Sequence, residues 1–352
     1  MKQENKTIIT YKGFDKDLKC RGFQYEVGKE YELPKGETVE ICRRGFHACE
    51  SPLEVLDYYF MDGHANLSRF CEVEQSGEFS KEVDSTKVAS SKIKIKKEIT
   101  FADLIELGVE WLKEKTSNDR GGDSAKIASS GNNSQIGSLG DFAQICSSGN
   151  CAQICSSGYS SKISSSGGSA KIGSSGYSSK IGSSGSFAQI GSSGGCAQIA
   201  SSGYSTQIGS SGGCAQIVSS GDTAKIGSLG NSAKIASSSD RTQIGSLGNY
   251  AQIALSGDYA QITSSGYSAQ IALSGDYAQI NSTGENSVIM CAGRDSAVKA
   301  KKGSWITLAE WYIDEETKQM KPKYVKAEYV DGERIKEDTW YKLVDGEFVE
   351  VN

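Results

Sequence analysis

Proline and histidine are scarce in this 352-residue sequence, and long apolar runs are missing. Three prolines beside 41 glycines exclude a collagen-like chain, and two histidines leave no Ser-His-Asp or Cys-His catalytic set to assemble. No apolar run approaches the ~18 residues that a membrane-spanning helix needs, and the polar start MKQENKTIITYKGF is unlike a signal peptide. We therefore expect a soluble, cytoplasmic protein without membrane contact.

Positive charge is also limited, because 38 Lys and Arg face 43 Asp and Glu and leave a net charge of −5. This balance removes the simplest electrostatic case for nucleic-acid binding, so direct contact with nucleic acid is not expected. Ten cysteines are spread over the whole chain rather than concentrated in a small scaffold. Reduced thiols in a cytoplasm are the expectation.

A nine-residue repeat fills the middle of the chain. From Gly122 to Val298 the pattern G-x-x-A-x-I-x-S-S recurs in twenty copies, and the position two residues before Ile is Ala in thirteen of them. Self-similarity at a short fixed period is typical of a solenoid. A helical repeat is excluded, since nine residues are about two and a half turns and successive Ile would fall on opposite sides.

Each repeat predicts one short strand and one turn. In segments such as Ala143-Gln144-Ile145, small and apolar residues alternate with Gln or Lys, which is the period of a strand with one buried face. Ile and Ala are predicted to point inward, and Gln and Lys outward. The S-S-G stretch is predicted to form the turn, with Gly supplying a positive φ.

Identity between alternate repeats indicates that one coil holds two repeats. Asp123 matches Asp141, and Tyr159 matches Tyr177. We therefore predict a mainly β fold, a two-sided parallel β-solenoid with 18 residues per coil and about ten coils, rising about 48 Å at ~4.8 Å per coil. A triangular helix with three six-residue sides has the same coil length, but the internal nine-residue symmetry argues against it.

The flanking segments differ in composition and predict two further domains. We expect an α+β N-terminal domain over 1–118, the solenoid over 119–299 and a small antiparallel β-meander cap over 300–352. The expected N-terminal elements are a strand at 7–11, a hairpin at 23–33, a helix at 51–59 capped by Ser51-Pro52, a strand at 70–75 and a helix at 101–115. In the cap, Asp331-Gly332 and Asp345-Gly346 predict hairpin turns.

The N-terminal segment 37–60 holds the richest chemistry. Cys42, His47 and Cys49, with Cys20, offer ligand types that suit zinc, but their spacing is not a recognised zinc pattern, so no metal is predicted. The alternative for His47 is a hydrogen-bonded histidine beside a turn. No phosphate-binding loop is present, because the periodic glycines are never followed by G-K-S/T. No cofactor and no catalytic residue is predicted.

The solenoid surface predicts stacked side chains and two unlike faces. Four aspartates at the same position of alternate repeats should form a column, in which each carboxylate either accepts N–H groups of its own turn or receives cations or Lys and Arg side chains from a partner. One face carries Lys126, Lys162, Lys180 and Lys234, and the flatter face carries Gly173, Gly191, Gly209, Gly227 and Gly245. The flatter face predicts a homodimer in which it packs against a second solenoid. Calcium is not predicted, since the Gly-Gly-x-Gly-x-Asp turn is missing. The candidate partner-binding residues are Arg43, Arg44, His47, Tyr58, Tyr59, Asp222, Asp240, Asp258, Asp276, Tyr259 and Tyr277.

Part of the N-terminal segment resembles ADP-ribosyltransferases. The resemblance rests on Tyr11-Lys12-Gly13, Tyr25-Glu26-Val27-Gly28, and Gly45-Phe46-His47-Ala48-Cys49 followed by a helix ending at Tyr58-Tyr59. It implies a strand and a helix that cover the nicotinamide of NAD. The sequence departs from the pattern, since no clear catalytic Glu follows and Lys12 stands where Arg is more usual.

Both ends of the chain are similar to uncharacterised proteins from phages and prophages of low-GC Gram-positive bacteria. The similar segments are CRGFQYEVGKEYE, GFHACESPLEVLDYY and RFCEVEQSGE at the front, and YVDGERIKEDTWYKLVDGEFVEV at the back. The resemblance implies a phage-encoded protein in the host cytoplasm. The first functional hypothesis is a non-enzymatic binding protein that engages a host protein or complex, as an anti-CRISPR-like counter-defence inhibitor. The alternatives are an ADP-ribosyltransferase-like enzyme and a structural or virion solenoid.

Overall fold

The structure, a computed structural model, describes residues 7–34, 36–59, 68–81, 86–101, 103–104, 107–108, 111 and 122–351. The chain divides into two compact units, residues 1–62 with 67–119 and residues 63–66 with 120–352. Each unit is described separately. Within the described ranges, no helix is long and apolar enough to cross a membrane.

The N-terminal domain is built mainly from antiparallel strands. Strand order in its sheet is β4-β7-β5-β1-β6, and β7 also pairs with β6, so the sheet closes on itself. The short strands β2 and β3 form a separate hairpin. The elements are β1 (Ile8–Phe14), β2 (Lys19–Cys20), β3 (Phe23–Gln24), β4 (Glu30–Glu32), β5 (Phe46–Cys49), α1 (Val55–Tyr58), β6 (Arg69–Lys81) and β7 (Lys87–Ile99).

Two N-terminal expectations need correction, and one strand is additional to them. The run 23–33 is not one hairpin, because β3 pairs with β2 while β4 pairs with β7. The predicted helix at 51–59 has only the four α-helical residues Val55–Tyr58, and its N-cap is Glu54 rather than Ser51. Strand β7, which the sequence analysis does not identify, pairs with β4, β5 and β6. The expected helix at 101–115 lies partly outside the described residues, and those described between 101 and 111 are helical.

The repeat region is a two-sided parallel β-solenoid, as predicted, and residues in contact between neighbouring coils are 18 residues apart in the chain. Strands of alternate repeats stack in register, so that Ile145 lies between Ile127 and Ile163. One sheet holds ten of these strands, namely β8 (Lys126–Ser129), β10 (Gln144–Ser147), β12 (Lys162–Ser165), β14 (Lys180–Ser183), β16 (Gln198–Ser201), β18 (Gln216–Ser219), β20 (Lys234–Ser237), β22 (Gln252–Leu255), β24 (Gln270–Leu273) and β26 (Val288–Cys291). The other holds β9 (Gln135–Ser138), β11 (Gln153–Ser156), β13 (Lys171–Ser174), β15 (Gln189–Ser192), β17 (Gln207–Ser210), β19 (Lys225–Ser228), β21 (Gln243–Ser246), β23 (Gln261–Ser264), β25 (Gln279–Ser282) and β27 (Ala297–Ala300).

The solenoid core contains serine as well as the predicted Ile and Ala. The first Ser of each S-S pair is the fourth residue of the strand and points inward, as Ser156 and Ser210 do, both fully buried. In five repeats where Ser or Thr replaces Ala, its hydroxyl pairs with this serine, as in Ser156 Oγ to Ser161 Oγ at 2.6 Å. Where Ala is present, the buried hydroxyl of Ser210 has no hydrogen-bond partner among the described residues.

The repeat glycines serve close packing rather than a positive φ. No glycine from Gly122 to Gly293 has φ in the left-handed region, which is instead occupied two residues later by residues such as Phe142 and Tyr259 (φ 58° and 57°). A Cβ on Gly230 would lie inside 3.0 Å of the carbonyl oxygen of Gly212, one coil earlier. The absent side chain therefore lets successive turns stack at the spacing of a parallel sheet.

The C-terminal strands cover the last coil as two hairpins, one on each solenoid sheet, rather than as one continuous meander. β28 (Trp305–Ile313) pairs in parallel with β26, and β29 (Met320–Tyr329) pairs with β28. β30 (Trp340–Val344) pairs with β27, and β31 (Glu347–Val351) pairs with β30. Asp345-Gly346 forms the predicted tight turn, whereas Asp331-Gly332 lies on the connection between the two sheets.

Candidate functional site

A cavity of about 480 Å³ lies within the N-terminal domain. Its walls come from strands β1, β4 and β5, the β2–β3 hairpin, the start of β7, the end of helix α1 and the loop before β5. Gly13 lets the helix end approach β1, because a Cβ at this position would overlap the side chain of Tyr59. The residues that line the cavity are Tyr11, Lys12, Gly13, Cys20, Arg21, Phe23, Tyr25, Tyr31, Glu32, Leu33, Pro34, Cys42, Arg43, Gly45, Phe46, His47, Ala48, Cys49, Val55, Tyr58, Tyr59 and Lys87.

Aromatic rings make up one side of this cavity. Phe23, Tyr25 and Tyr31 pack edge to face with ring centroids 4.8–5.4 Å apart, and Tyr25 lies 6.5 Å from Phe46. Burial raises the pKa of the Tyr25 phenol above its ordinary value, so this ring keeps its proton at neutral pH. The Phe23 ring remains 48% exposed and is therefore open to a ligand.

Basic side chains dominate the charge of the cavity. Four of its lining residues are Lys or Arg, namely Lys12, Arg21, Arg43 and Lys87, and among the lining residues the only acidic side chain is Glu32. The Glu32 carboxylate pairs with Lys92 at 3.0 Å. The cavity therefore favours an anionic group beside an aromatic or apolar one.

Lys12 is the most buried of these cations, with 5% of its surface exposed. Strand β1 alternates Thr10, Lys12 and Phe14 on its buried face, so the register carries Lys12 inward. Its Nζ donates to the carbonyl oxygen of His47 at 2.8 Å and lies 5.6 Å from the centroid of Tyr25. The strand thus holds a positive charge inside an aromatic wall.

His47 is a hydrogen-bonded histidine beside a turn, which is the alternative to a zinc ligand predicted from the sequence. Its Nε2 accepts the backbone N–H of Cys42 at 2.9 Å, and Cys42 has the left-handed φ of 64°. Burial, and then the charge of Lys12, lower the pKa of His47 below its ordinary value. The imidazole is therefore neutral at pH 7 and adds no charge to the cavity.

The other N-terminal candidates separate into lining and non-lining residues. Arg43, Tyr58 and Tyr59 line the cavity, and the ring of Tyr58 lies 4.7 Å from Lys87 Nζ. Arg44 does not line it, and its guanidinium lies 3.8 Å from Glu37. Within the described part of the chain, no group of three His, Cys, Asp or Glu could hold a metal, so Cys20, Cys42, His47 and Cys49 do not form the zinc site considered above.

The solenoid candidates form the predicted column at one set of turns. Asp240 Oδ1 accepts the backbone N–H of Asp258 at 2.8 Å, and Asp258 Oδ1 accepts that of Asp276 at 2.8 Å. Arg294 ends the column, donating its backbone N–H to Asp276 and pairing with the carboxylate at 3.0 Å. These carboxylates therefore join successive coils, whereas the first expected role had each of them accept N–H groups of its own turn. Asp222 lies one coil before Asp240 and is exposed.

The two tyrosines follow the aspartates in the same turns. The rings of Tyr259 and Tyr277 stack with centroids 4.9 Å apart and planes at 8°. The guanidinium carbons of Arg241 and Arg294 lie 5.9 Å and 5.0 Å from the centroids of Tyr259 and Tyr277, respectively. The aspartates, tyrosines and arginines thus form one surface ladder on the solenoid.

Several residues that shape the cavity are not among the binding residues predicted from the sequence. Lys12, Cys20, Phe23 and Lys87 line the same cavity as the predicted residues Arg43 and Tyr58. The available signal was the register of β1, where a lysine occupies a buried strand position between Thr10 and Phe14. Lys87 and Phe23 carry no such local signal, because Lys87 reaches the cavity through the pairing of β7 with β5 and Phe23 through the separate β2–β3 hairpin.

The molecule is thus a small antiparallel β domain with an aromatic, basic cavity, joined in one chain to a two-sided β-solenoid with a C-terminal cap. Residues 8–107 match the family model of a domain of unknown function (DUF7666). No curated protein and no solved structure matches the chain. The family match covers the N-terminal domain with its cavity and leaves the solenoid outside.

Proposed function

We propose that the protein is a non-enzymatic binding protein whose N-terminal cavity engages a host protein or protein complex. The observation that carries the proposal is the cavity, which places the exposed Phe23 beside four basic side chains and one acidic side chain. Such a cavity suits a partner segment that inserts an apolar or aromatic side chain beside a carboxylate.

The proposal extends to the biological setting of the partner. The resemblance of both ends of the chain to phage and prophage proteins supports a partner in the cytoplasm of an infected bacterium and a role as a counter-defence inhibitor. Homodimerisation through the glycine-bearing solenoid face stays a prediction. In that face Gly173, Gly191 and Gly209 stand in register on neighbouring strands but are buried, so the glycines themselves offer no exposed surface to a second sheet. Light scattering of the purified chain tests it.

Affinity capture from host lysate tests the binding proposal. The bait is the full chain, compared with Arg43→Glu, which reverses a charge at the cavity, and with Lys94→Glu, which reverses an exposed charge that does not line it. We expect one saturable partner that the full chain and Lys94→Glu retain and Arg43→Glu loses. No saturable partner, or equal capture by all three baits, contradicts the proposal.

An ADP-ribosyltransferase-like enzyme is the second candidate, favoured by one observation. Three segments before the helix resemble ADP-ribosyltransferases, and each contributes a residue to the cavity, namely Tyr11, Tyr25 and His47. Tyr58 and Tyr59 at the end of the helix line the same cavity. Against it stands the acidic side chain that lines the cavity, Glu32, which is paired with Lys92. Incubation of the full chain with labelled NAD and host lysate tests this candidate. Label transfer or NAD hydrolysis supports it, and neither rejects it.

A further inference from the structure

Three side chains of the N-terminal cavity form a cluster that the proposed function does not use. Cys20 Sγ lies 3.3 Å from Lys12 Nζ and 3.0 Å from the hydroxyl oxygen of Tyr59. Both neighbours can donate hydrogen bonds to sulfur. A thiol that meets a lysine ammonium and a second donor has the surroundings in which a thiolate reacts as a nucleophile.

The burial of Lys12 strengthens this arrangement. Only 5% of its surface is exposed, and within the described residues no carboxylate forms an ion pair with it. A buried ammonium without a carboxylate is stabilised by any nearby group that can become an anion, and Cys20 is in direct contact. Tyr59 acts as the second donor, because burial and its hydrogen bond with Cys20 raise the pKa of its phenol.

Access distinguishes Cys20 from the buried cysteines. It is half-buried and lines the cavity of about 480 Å³, together with the basic residues Arg21 and Arg43. Cys71 is fully buried, and burial raises the pKa of its thiol to about 12. A small molecule can therefore reach Cys20, and the surrounding cations favour one that carries carboxylates.

We propose that Cys20 is a nucleophile that forms a mixed disulfide with small anionic disulfides, of which oxidised glutathione is the test case. The Cys20 thiolate attacks one sulfur of the disulfide, a new S–S bond forms to that sulfur, and the old S–S bond breaks. The second half leaves as a thiolate and takes a proton from water. Cys20 is oxidised and the departing half of the disulfide is reduced, so no further oxidant is needed. This proposal does not depend on the macromolecular partner proposed above.

The test is exchange of the full, reduced chain with oxidised glutathione, followed by peptide mapping of all ten cysteines. We expect Cys20 to be modified about tenfold faster than Cys146, an exposed cysteine of the solenoid. A neutral disulfide, oxidised 2-mercaptoethanol, should lose most of this preference, because it offers no carboxylate to Arg21 and Arg43. Equal rates at Cys20 and Cys146, or faster reaction at Cys42, which lies 2.9 Å from Lys87 Nζ, overturn the proposal.

Two variants separate reactivity from folding. Tyr59→Phe removes one donor to Cys20 and keeps the ring that packs on Gly13, so we expect slower modification of Cys20 with an unchanged circular dichroism spectrum. Cys20→Ser should abolish fast modification and leave the slow modification of Cys146. Undiminished exchange at Cys20 in Tyr59→Phe, or fast modification that persists in Cys20→Ser, contradicts the assigned cluster.

Discussion

Single side chains in the solenoid repeat their surroundings from coil to coil, so the chain contains internal controls for most of its contacts. Buried serines illustrate this. Ser156 and Ser210 occupy the same position of strands in the same sheet and are equally buried, yet only Ser156 has a side-chain hydrogen-bond partner within the described structure. The difference follows from one residue, since the position five residues later is Ser161 in one case and Ala215 in the other.

Replacement of these two serines should therefore have unequal effects. We expect Ser156→Ala to lower the free energy of unfolding by about 1 kcal/mol, because it removes a buried hydrogen bond. Ser210→Ala should be neutral or stabilising, since it removes a buried hydroxyl without a partner. Thermal unfolding followed by circular dichroism measures both. Equal destabilisation by the two changes would show that the Ser156–Ser161 contact contributes nothing of its own.

The repeat glycine makes a second prediction about one residue. Gly230→Ala should destabilise the solenoid by about 1–3 kcal/mol, because the new Cβ overlaps the carbonyl oxygen of Gly212. Gly213→Ala is the matched control, since a Cβ there meets no atom within 4 Å and its φ is not left-handed. The unfolding midpoints of the two variants decide the matter, and a neutral Gly230→Ala would contradict the packing role.

At the scale of strands and turns, paired strands and columns of like side chains stabilise the solenoid. The aspartate column shows how an unfavourable charge pattern is tolerated. Each of Asp240, Asp258 and Asp276 gives one carboxylate oxygen to a backbone N–H of the next coil, and Asn231 does the same for Asn249. Asn and Asp side chains can thus both accept a hydrogen bond from the next coil, but only the charged aspartates repel one another.

Asp258→Asn should keep the solenoid as stable as before or make it more stable, because the amide oxygen retains the bond to Asp276 N–H and one negative charge is removed. Asp258→Ala should lower the stability by about 1 kcal/mol, since that bond is lost. Thermal midpoints at low salt test the pair. If Asp258→Asn loses stability as Asp258→Ala does, the carboxylate charge itself is required.

The hairpin of β28 and β29 predicts a dependence on pH. Hydrogen bonds from Lys321, and then from Thr317, lower the pKa of Asp314 from 3.8 to about 2. Because the folded pKa lies below the unfolded one, the contribution of Asp314 to stability is present above about pH 4 and is lost as the pH falls towards 2. Asp314→Asn should therefore weaken the fall of the thermal midpoint between pH 4 and 2. Glu315→Gln is the control, and an identical pH profile for Asp314→Asn and the full chain contradicts the prediction.

Across the solenoid unit as a whole, the open ends of the two sheets are the main liability. Parallel strands at a sheet end present unpaired backbone groups and invite association with other chains. At the C-terminal end β28 and β30 pair with the last strands β26 and β27, and residues such as Val330, Ile335 and Leu343 join the solenoid core. The cap therefore ends both sheets and extends the core at the same time.

A chain that ends at Ala300 should associate, because the last strands β26 and β27 lose their pairing partners. Sedimentation velocity over a range of concentrations, with the full chain as reference, measures this. We expect higher-order species that grow with concentration in the shortened chain and not in the full chain. A shortened chain with the same size distribution as the full chain would show that the cap does not protect the sheet ends.

The solenoid follows from the sequence because its contacts are local and periodic. A nine-residue pattern with alternating polarity determines the strand, and identity between alternate repeats determines the coil and the stacked columns of Ile145 and Asp258. Even here the role of glycine depends on the spacing between coils. That spacing is a property of the assembled sheet and is not visible in one repeat.

The cavity could not be assembled from the sequence, because its residues come from distant segments. Lys12, His47 and Lys87 meet only when β1, β5 and β7 pair across long loops, and the pairing register is set by burial of the whole closed sheet. Phe23 joins them from the separate β2–β3 hairpin. Local pattern predicts strand β1 and the Asp345-Gly346 turn, since each depends on neighbours in the chain. Packing between remote strands decides which side chains share the aromatic, basic cavity. The physical reason is that a strand buries its apolar surface only against other strands of the folded domain, so no single segment determines the arrangement.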